Sequence, residues 1–296
     1  MSAAQPRRIA IAIDDVGLHP GICDAVLELA QIGRVQAAGC MVGGDRWAAD
    51  AARLRSLPRS RTELGLHLDL TELPQRMPPA RRLPLLWLTS YLHSVPRSAL
   101  IDEIDAQLDA FENAIGRTPD FVDGHQHVHQ LPVVREVLLE RLTLRCATGA
   151  KPWVRACRRP SAGPGGAPAE KAAGKPRGEA VVRRAFKPWL IERLGASALA
   201  SAAAAGGFAQ NRALLGSYDF KGGAQRYGLL VETWLAAASD GDLLMTHAAT
   251  RPCAADGLSA ARPHEFEVLA GAGFEAALLA HGVTLATIGE IRAAIP

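Results

Sequence analysis

Short apolar runs alternate with amphipathic stretches along most of the chain. Residues 9–13, IAIAI, are apolar throughout, which is typical of a strand buried on both faces. Residues 20–32 instead place apolar side chains at the three- and four-residue spacing of a helix. The first pattern predicts strands at 8–13, 37–42, 64–68, 121–122, 153–155, 243–246 and 283–286. The second predicts helices at 20–32, 47–54, 98–115, 132–142, 182–205 and 227–238. One or two helical pieces at 266–281 and a last helix follow.

Repeated strand–helix alternation predicts an α/β fold, in which helices cover a parallel sheet. About seven such units in 296 residues favour a (β/α) barrel with about seven parallel strands, closed or nearly closed. An open, doubly wound sheet is the alternative. Gly43 and Gly44 follow a predicted strand, but the third glycine and the spacing of a dinucleotide-binding fingerprint are missing. We therefore expect one barrel domain over residues 1–296.

One segment, residues 158–180, departs from this alternation. It is rich in glycine, proline, alanine and lysine and has no apolar periodicity. A long segment of this composition cannot bury enough apolar surface to fold, so we expect a mobile insertion in the barrel. A solvated linker and a lid over a binding site are both compatible with such a loop.

Composition and charge argue against several classes of protein. Apolar residues make up 48 % of the chain, and the net charge of +3 comes without a basic block, so neither nucleic-acid nor membrane-surface binding is indicated. The five cysteines are scattered and form no C-x-x-C pair, which argues against a disulfide framework or a cysteine metal site. The first apolar run is too short for a secretory signal and no run could span a bilayer, so we expect a cytoplasmic protein.

Ionisable side chains follow three of the predicted strands. Asp14 and Asp15 end the first strand, His67 lies at the end of the third, and the segment DGHQHVH, residues 123–129, comes at the end of the fourth. Because the carboxyl ends of the strands form the active-site mouth of a parallel barrel, we expect these groups to meet there. If residues 125–129 are extended, their three histidines share one face, since side chains alternate along a strand.

A divalent cation would explain why a buried strand ends in two carboxylates. Adjacent buried negative charges are unfavourable unless a positive charge compensates them. Carboxylate and imidazole ligands suit Zn²⁺, and Mg²⁺ binds where enough oxygen ligands are present. One acid can then bind the metal while its neighbour acts as a general base. An Asp pair alone is more often a helix cap, and a single histidine is more often a structural hydrogen-bonding residue, but three alternating histidines have no such simple explanation.

Three segments, AIDDVG, GLHLDLT and DGHQHVH, resemble the main motifs of the YdjC-like carbohydrate deacetylases, the group of chitooligosaccharide and hopanoid-associated deacetylases. The segments occur in the same order as the family's motifs, and the resemblance extends from Asp14 to the strand before His247. It implies a variant β/α barrel that binds one divalent metal ion, Mg²⁺ or Zn²⁺, through Asp15, His67 and His125. It further implies that Asp14 is the general base and that His247, in LLMTHAA, lies near the leaving group as a general acid.

The sequence departs from the family pattern beside two of these residues. Val16 replaces the aromatic residue that usually follows the acid pair, and Ala248 follows His247 where the family often has proline. The alternative is that His247 donates no proton and only orients Asp14. Arg155, after the fifth predicted strand, is a candidate for substrate binding, with a surface salt bridge as the alternative.

Other polar residues near the predicted mouth have no assigned chemistry. His127 and His129 are expected to line the cleft or to support the metal ligands by hydrogen bonds. His19 and Asp123 carry less weight as candidates.

The resemblance implies a metal-dependent hydrolase that releases acetate from an N-acetylated amino sugar, with a small carbohydrate or a glycolipid as its substrate. A metal-assisted phosphoesterase is one alternative, which the small number of cations in the motif segments disfavours. A metal-binding barrel without catalysis, serving as a carbohydrate-binding or regulatory module, is another. Many barrels of this kind form homodimers, but no interface stripe marks the sequence, so the oligomeric state stays open.

Overall fold

A sheet of parallel strands lies at the centre of the protein. The structure is a computed structural model that describes residues 7–79, 83–147, 149–160, 195–253 and 256–294. The strands in these ranges are β1 (Arg7–Val16), β2 (Ala37–Cys40), β3 (Glu63–Leu68), β4 (Phe121–Gly124), β5 (Trp153–Val154), β6 (Leu214–Leu215), β7 (Asp242–Thr246) and β8 (Val283–Leu285). The order across the sheet is β5-β4-β3-β2-β1-β7-β6, and β8 pairs with β1 outside this path.

This strand order is that of a barrel that is not fully closed. β1 to β5 follow one another in one direction, and β7 and β6 continue on the other side of β1, so a β5–β6 ladder would complete the ring. A doubly wound sheet does not join its strands in this circular order. Instead of a ladder, the described chain forms separate bonds there: Val154 N–H donates to Ala209 O (2.9 Å), and Leu214 N–H donates to Arg158 O (2.8 Å). The predicted barrel of about seven parallel strands is therefore confirmed, in an open form.

Helices cover the outside of the sheet. They are α1 (Pro20–Gln31), α2 (Trp47–Leu54), α3 (Leu83–Tyr91), α4 (Arg97–Ile115), α5 (Pro132–Arg145), α6 (Ser197–Ala205), α7 (Gly223–Ala237), α8 (Arg262–Ala270), α9 (Ala272–Ala280) and α10 (Ile288–Ala293), and a 3₁₀ segment (His125–Gln130) follows β4. The apolar periodicity predicts most of these elements to within a few residues. It does not predict α3, which is apolar on nearly all sides, or β6, which has two residues.

Two other expectations concern parts of the chain outside the described residues. These are the predicted insertion from 161 onward and the first part of the helix predicted at 182–205, up to residue 194. None of the helices in the described ranges combines the length and the apolar character that are needed to cross a lipid bilayer.

The sheet separates two apolar cores, because successive side chains of a strand point to opposite faces. On β1, isoleucines pack against the helices and alanines face the barrel interior: Ile9, Ile11 and Ile13 in the first group, Ala10 and Ala12 in the second. The interior also holds the rings of Phe121 and Trp153, which stack with their centroids 4.4 Å apart. Gly65 gives Phe121 this space, since a Cβ at position 65 would lie 2.5 Å from the ring. Small and bulky side chains thus fill the interior together.

Candidate active site

A bulge at the end of β1 brings two adjacent carboxylates into one site. The ladder between β1 and β2 changes register between Ile13 and Val16, so Asp14 and Asp15 together take the place of one residue. Asp15 has a φ of 69°, in the left-handed region that residues other than glycine seldom adopt. In a regular strand the two side chains would point to opposite faces. The bulge therefore explains how both acids reach the barrel mouth.

Arg155 joins Asp14 to Asp123 below this mouth. Its Nη1 and Nη2 atoms each lie 2.6 Å from one carboxylate oxygen of Asp14, and Nη2 lies 2.6 Å from Asp123 Oδ2. All three side chains are buried, and Arg155 is 0 % exposed. The alternative of a surface salt bridge is therefore wrong, because the residue that follows β5 points into the barrel. A substrate-binding role for Arg155 stays a prediction.

Asp15, His67 and His125 form a cluster in which one donor atom from each residue lies within 4.8 Å of the others. Asp15 Oδ1 is 2.8 Å from His125 Nδ1 and 3.3 Å from His67 Nε2. The other ring nitrogen of His67, Nδ1, lies 2.6 Å from Asp123 Oδ1, and carboxylates commonly orient metal-binding histidines in this way. One carboxylate and two imidazoles suit a divalent cation. The structure brings the three predicted ligands together, and their binding of a metal stays a prediction.

In a second group, Asp14, His67 and Asp123, the ligand atoms also lie within 4.8 Å of one another. Arg155 already engages both oxygens of Asp14 and one oxygen of Asp123, so its positive charge would repel a cation there. Asp15 is also paired with a guanidinium group, that of Arg262, but only through Oδ2, so its Oδ1 atom faces the imidazole nitrogens. Of these two groups, the one that contains Asp15 is therefore the better cation site.

Charged neighbours shift the pKa values of all three residues of this cluster. Burial alone would raise the pKa of Asp15, but His125 and Arg262 hold that pKa well below its ordinary value. Burial lowers the pKa of His125 and the carboxylate of Asp15 raises it, with a net rise to about 9. For His67 burial also lowers the pKa, but Asp123 raises it well above the ordinary value. The carboxylates that raise the pKa values of the two histidines are the negative charges that a bound cation would meet in place of the protons.

His247 follows β7 at the same end of the barrel. Its ring meets the ring of Phe220 edge to face, with centroids 5.1 Å apart, and its Nδ1 atom is buried without a hydrogen bond to any described residue. Burial lowers the pKa of His247 to about 4, so the imidazole is neutral at pH 7. Within the described residues, the hydrogen bonds of the Asp14 carboxylate come from Arg155 and not from His247, so the contacts do not support the alternative that His247 orients Asp14.

The segment after β4 does not have the extended conformation predicted for it. β4 ends at Gly124, where its ladder with β3 also ends. From His125 the chain turns into a 3₁₀ helix, interrupted by Gln126 and His127 with φ values of 52° and 61°. Without a neighbouring ladder nothing holds these residues in a strand, so the histidines do not share one face.

The three histidines consequently have different surroundings. His125 contacts Asp15, as described above, whereas His129 Nε2 lies 3.1 Å from the carbonyl oxygen of Arg155. His127 Nδ1 lies 3.5 Å from the sulfur of Cys157. Neither His127 nor His129 belongs to the groups of described residues whose ligand atoms lie close enough together to hold a metal ion.

Two residues contribute more to the site than the sequence indicates. Asp123, which the sequence places at the end of the fourth strand with less weight than the other candidates, orients His67 and pairs with Arg155. Arg262 lies at the beginning of α8, and no periodicity connects it with the barrel mouth, yet its Nη2 atom is 2.6 Å from Asp15 Oδ2.

The family model described as YdjC-like protein matches residues 8–280. This range includes every strand end that contributes to the site. The chain belongs to the YdjC-like family. The resemblance carried by the three motif segments is thereby confirmed.

Curated relatives of this YdjC-like chain include carbohydrate deacetylases. The human protein named carbohydrate deacetylase is 31 % identical over 180 residues, covering 52 % of this chain and 54 % of its own length. The corresponding mouse protein is 35 % identical over 156 residues, covering 47 % and 48 %. A chitooligosaccharide deacetylase of Enterobacter sp. (strain 638) is 30 % identical over 132 residues, covering 43 % and 52 %. The chain thus spans about half the length of the curated relatives it matches.

A solved structure shares the fold over nearly the whole YdjC-like chain. It is that of a protein from Enterococcus faecalis V583 provisionally assigned to cellobiose-phosphate cleavage. The TM-score is 0.63 at 18 % sequence identity, and the alignment covers 97 % of this chain and 99 % of the other. At this identity the likeness establishes the fold alone.

Proposed function

We propose that this YdjC-like protein is a metal-dependent hydrolase that removes the acetyl group from an N-acetylated amino sugar. One observation carries the proposal: a carboxylate and two imidazoles meet at the carboxyl ends of β1, β3 and β4, beside a second carboxylate that an arginine holds. The names of the curated relatives support a carbohydrate substrate. An oligosaccharide and a glycolipid both belong to this class.

Asp15, His67 and His125 would hold the metal ion, either Zn²⁺ or Mg²⁺. When bound, the ion would act as a Lewis acid that polarises the acetyl carbonyl and acidifies water. Asp123 fixes the ring of His67 through Nδ1 and leaves Nε2 directed toward Asp15. Arg262 engages Oδ2 of Asp15, so that Oδ1 stays directed toward the two imidazoles.

Asp14 would act as the general base. A carboxylate has about four acceptor positions, and Arg155 uses two of them. A remaining lone pair can take the proton of the water that attacks the acetyl carbonyl carbon. Arg155 fixes the orientation of the carboxylate, which matters because general-base catalysis requires the base within hydrogen-bond reach of the proton.

His247 would protonate the nitrogen of the departing amine. Burial lowers its pKa to about 4, so its imidazolium is a stronger acid than an ordinary imidazolium, and only a small fraction of it is protonated at neutral pH. After the carbon–nitrogen bond breaks, the neutral imidazole takes a new proton from solvent and Asp14 releases the proton that it took from water. The bonds and protons of amide hydrolysis then balance.

A phosphoesterase is the second candidate, because the fold brings two arginines to a site whose motifs contain few cations. Arg155 and Arg262 are both buried, at 0 % and 1 % exposure, and each is paired with two carboxylates. A phosphate group would have to displace these carboxylates to reach the guanidinium groups. The contacts of the two arginines therefore favour a role in holding the carboxylates in place over a role in binding the phosphate of a substrate.

The test is release of acetate from a panel of N-acetylated oligosaccharides and glycolipids by the purified protein, with and without a chelator. The proposal expects acetate release that the chelator abolishes and that added Zn²⁺ or Mg²⁺ restores. Metal-dependent release of phosphate from sugar phosphates, without acetate release, would favour a phosphoesterase. Carbohydrate binding that needs no metal and leads to no turnover would favour a non-catalytic module. Either result would contradict the proposal.

A further inference from the structure

The backbone of His247 is held by side chains of α8 and not by the sheet. The ladder between β1 and β7 ends at the pair Ile13 and Thr246, so the described strands offer no partner for the N–H and C=O groups of the next residue. Buried backbone groups nevertheless need hydrogen-bond partners. Glu265 Oε2 accepts the His247 N–H at 2.6 Å, and Arg262 Nη1 donates to the His247 C=O at 3.1 Å.

These two residues form a brace on one face of α8. Arg262 and Glu265 are three residues apart, so their side chains project from the same side of the helix. Both are buried, at 1 % and 0 % exposure. Arg262 also donates to Asp15, whereas the second oxygen of Glu265 accepts the hydroxyl of Tyr218 at 2.7 Å. Glu265 therefore connects His247 with the loop that follows β6.

The described residues provide few contacts that fix the imidazole of His247 itself, so its orientation depends on this brace. Its Nδ1 atom has no hydrogen bond to a described residue, and the ring contact that the structure provides is with Phe220. Phe220 belongs to the same loop as Tyr218, and their ring centroids are 4.6 Å apart. A bulky residue with a φ of 58° is strained, so its neighbours must hold it in place. Glu265 thus touches both supports of the imidazole, the backbone and the aromatic loop.

From these contacts we infer that Glu265 is a positioning residue, which sets the orientation of the His247 imidazole without touching the substrate. The catalytic consequence rests on the proposed function, because His247 is the proton donor in that proposal. The orientation itself does not rest on it. Glu265 is a better choice for the test than Arg262, since Arg262 also contacts Asp15.

Three variants separate positioning from general stability. Glu265→Ala removes both hydrogen bonds. Glu265→Gln keeps them, because the amide oxygen can accept the His247 N–H while the amide nitrogen donates to the hydroxyl oxygen of Tyr218. Glu63→Ala is the matched control: Glu63 is also a buried glutamate, begins β3 at the opposite end of the barrel, and accepts from Trp153 Nε1 at 2.9 Å and Gly289 N–H at 3.0 Å.

Kinetics of acetate release give the first readout, at a temperature where urea unfolding shows every variant to be folded. We expect Glu265→Ala to lower kcat about 10- to 100-fold with KM within about twofold of the wild type, the usual effect of losing a group that orients a site residue. Glu265→Gln should restore kcat to within about threefold of the wild type, and Glu63→Ala should leave kcat unchanged. A Glu265→Ala enzyme with wild-type kcat, or a Glu265→Gln enzyme as slow as Glu265→Ala, would overturn the inference.

A second readout does not depend on activity. The imidazole Cε1–Hε1 signal of His247, assigned in the NMR spectrum by its loss in His247→Gln, reports how uniquely the ring is held. We expect one sharp signal in the wild type and in Glu265→Gln, and a broadened or doubled signal in Glu265→Ala. Identical signals in all three proteins would overturn the positioning role. If the wild type releases no acetate, the proposed function fails, and this signal still decides the inference.

Discussion

Arg155 donates to both carboxylate oxygens of Asp14, and the two nitrogen–oxygen distances are each 2.6 Å. This pairing separates two acids that look equivalent in the sequence. Arg155 engages both oxygens of Asp14, whereas Arg262 engages only Oδ2 of Asp15 and leaves Oδ1 directed toward the nitrogens of His67 and His125. Two neighbouring residues can therefore take the different parts of base and metal ligand.

Substitution of Asp14 by asparagine should separate catalysis from metal binding. The amide keeps the size of the side chain but cannot accept a proton at neutral pH, so we expect kcat to fall about 10²- to 10⁴-fold, the usual contribution of a general base. The metal content should stay near that of the wild type, because Asp15 and the imidazoles are unchanged. Acetate release and elemental analysis measure the two properties. Near-normal turnover by Asp14→Asn on a true substrate would refute the assignment of the base.

Substitution of His125 should abolish metal binding and turnover together. We expect purified His125→Ala to contain much less metal than the wild type after equal dialysis, because one of three protein ligands is lost. His127→Ala is the control, since His127 lies two residues away and contacts Cys157. It should keep its metal. Equal metal contents in both variants would argue against His125 as a ligand.

Removal of Arg155 should be strongly destabilising. Arg155→Met leaves Asp14 and Asp123 buried without their shared cation, and breaking a buried ion pair in this way costs about 3–5 kcal/mol of unfolding free energy. Arg53→Met is the control, because Arg53 is 45 % exposed in its pair with Asp24 and such pairs contribute about 1 kcal/mol or less. Urea unfolding measures both. Similar losses for the two variants would mean that the buried network contributes no more than a surface pair.

Glu63 should make stability depend on pH in a specific direction. Burial raises its pKa from 4.5 to about 7, although Trp153 and Gly289 donate hydrogen bonds to it. The Glu63 carboxyl therefore binds its proton more tightly in the folded than in the unfolded protein. This difference contributes stability that is fully present below pH 4.5 and is lost as the pH rises through 7. Between these limits the wild type should lose about 3 kcal/mol more than Glu63→Gln. Urea unfolding of both proteins across this pH range gives the difference between their unfolding free energies, in which the contributions of the other titrating groups cancel. Parallel plots of unfolding free energy against pH would contradict the raised pKa of Glu63.

Local patterns were sufficient to predict the scaffold and the positions of the main acids and histidines. The isoleucine–alanine alternation of β1 and the apolar stripe of α4 reflect the face that each element buries, so both are visible in the sequence. Asp14, Asp15 and His67 are recognisable because they interrupt apolar strands at their carboxyl ends. In a parallel barrel these ends meet, whatever the details of the loops.

The rest of the site depends on contacts between distant segments. The bulge at Asp15 and the turn at Gln126 follow from where the ladders of β1 and β4 stop, and hydrophobic periodicity does not encode those endpoints. The sequence around Arg155 does not distinguish a buried residue from a surface residue. Its side chain points toward Asp14 because β5 pairs with β4 in the sheet. Arg262 reaches Asp15 because α8 packs across the end of β7.

Anomalous diffraction from crystals grown with Zn²⁺ tests most directly whether three distant segments share one ion. We expect a single strong peak at the barrel mouth, at a bonding distance of about 2.0–2.2 Å from Asp15, His67 and His125. A peak bonded to Asp14 and Asp123 instead, or the absence of any peak near these residues at saturating Zn²⁺, would contradict the proposed metal site.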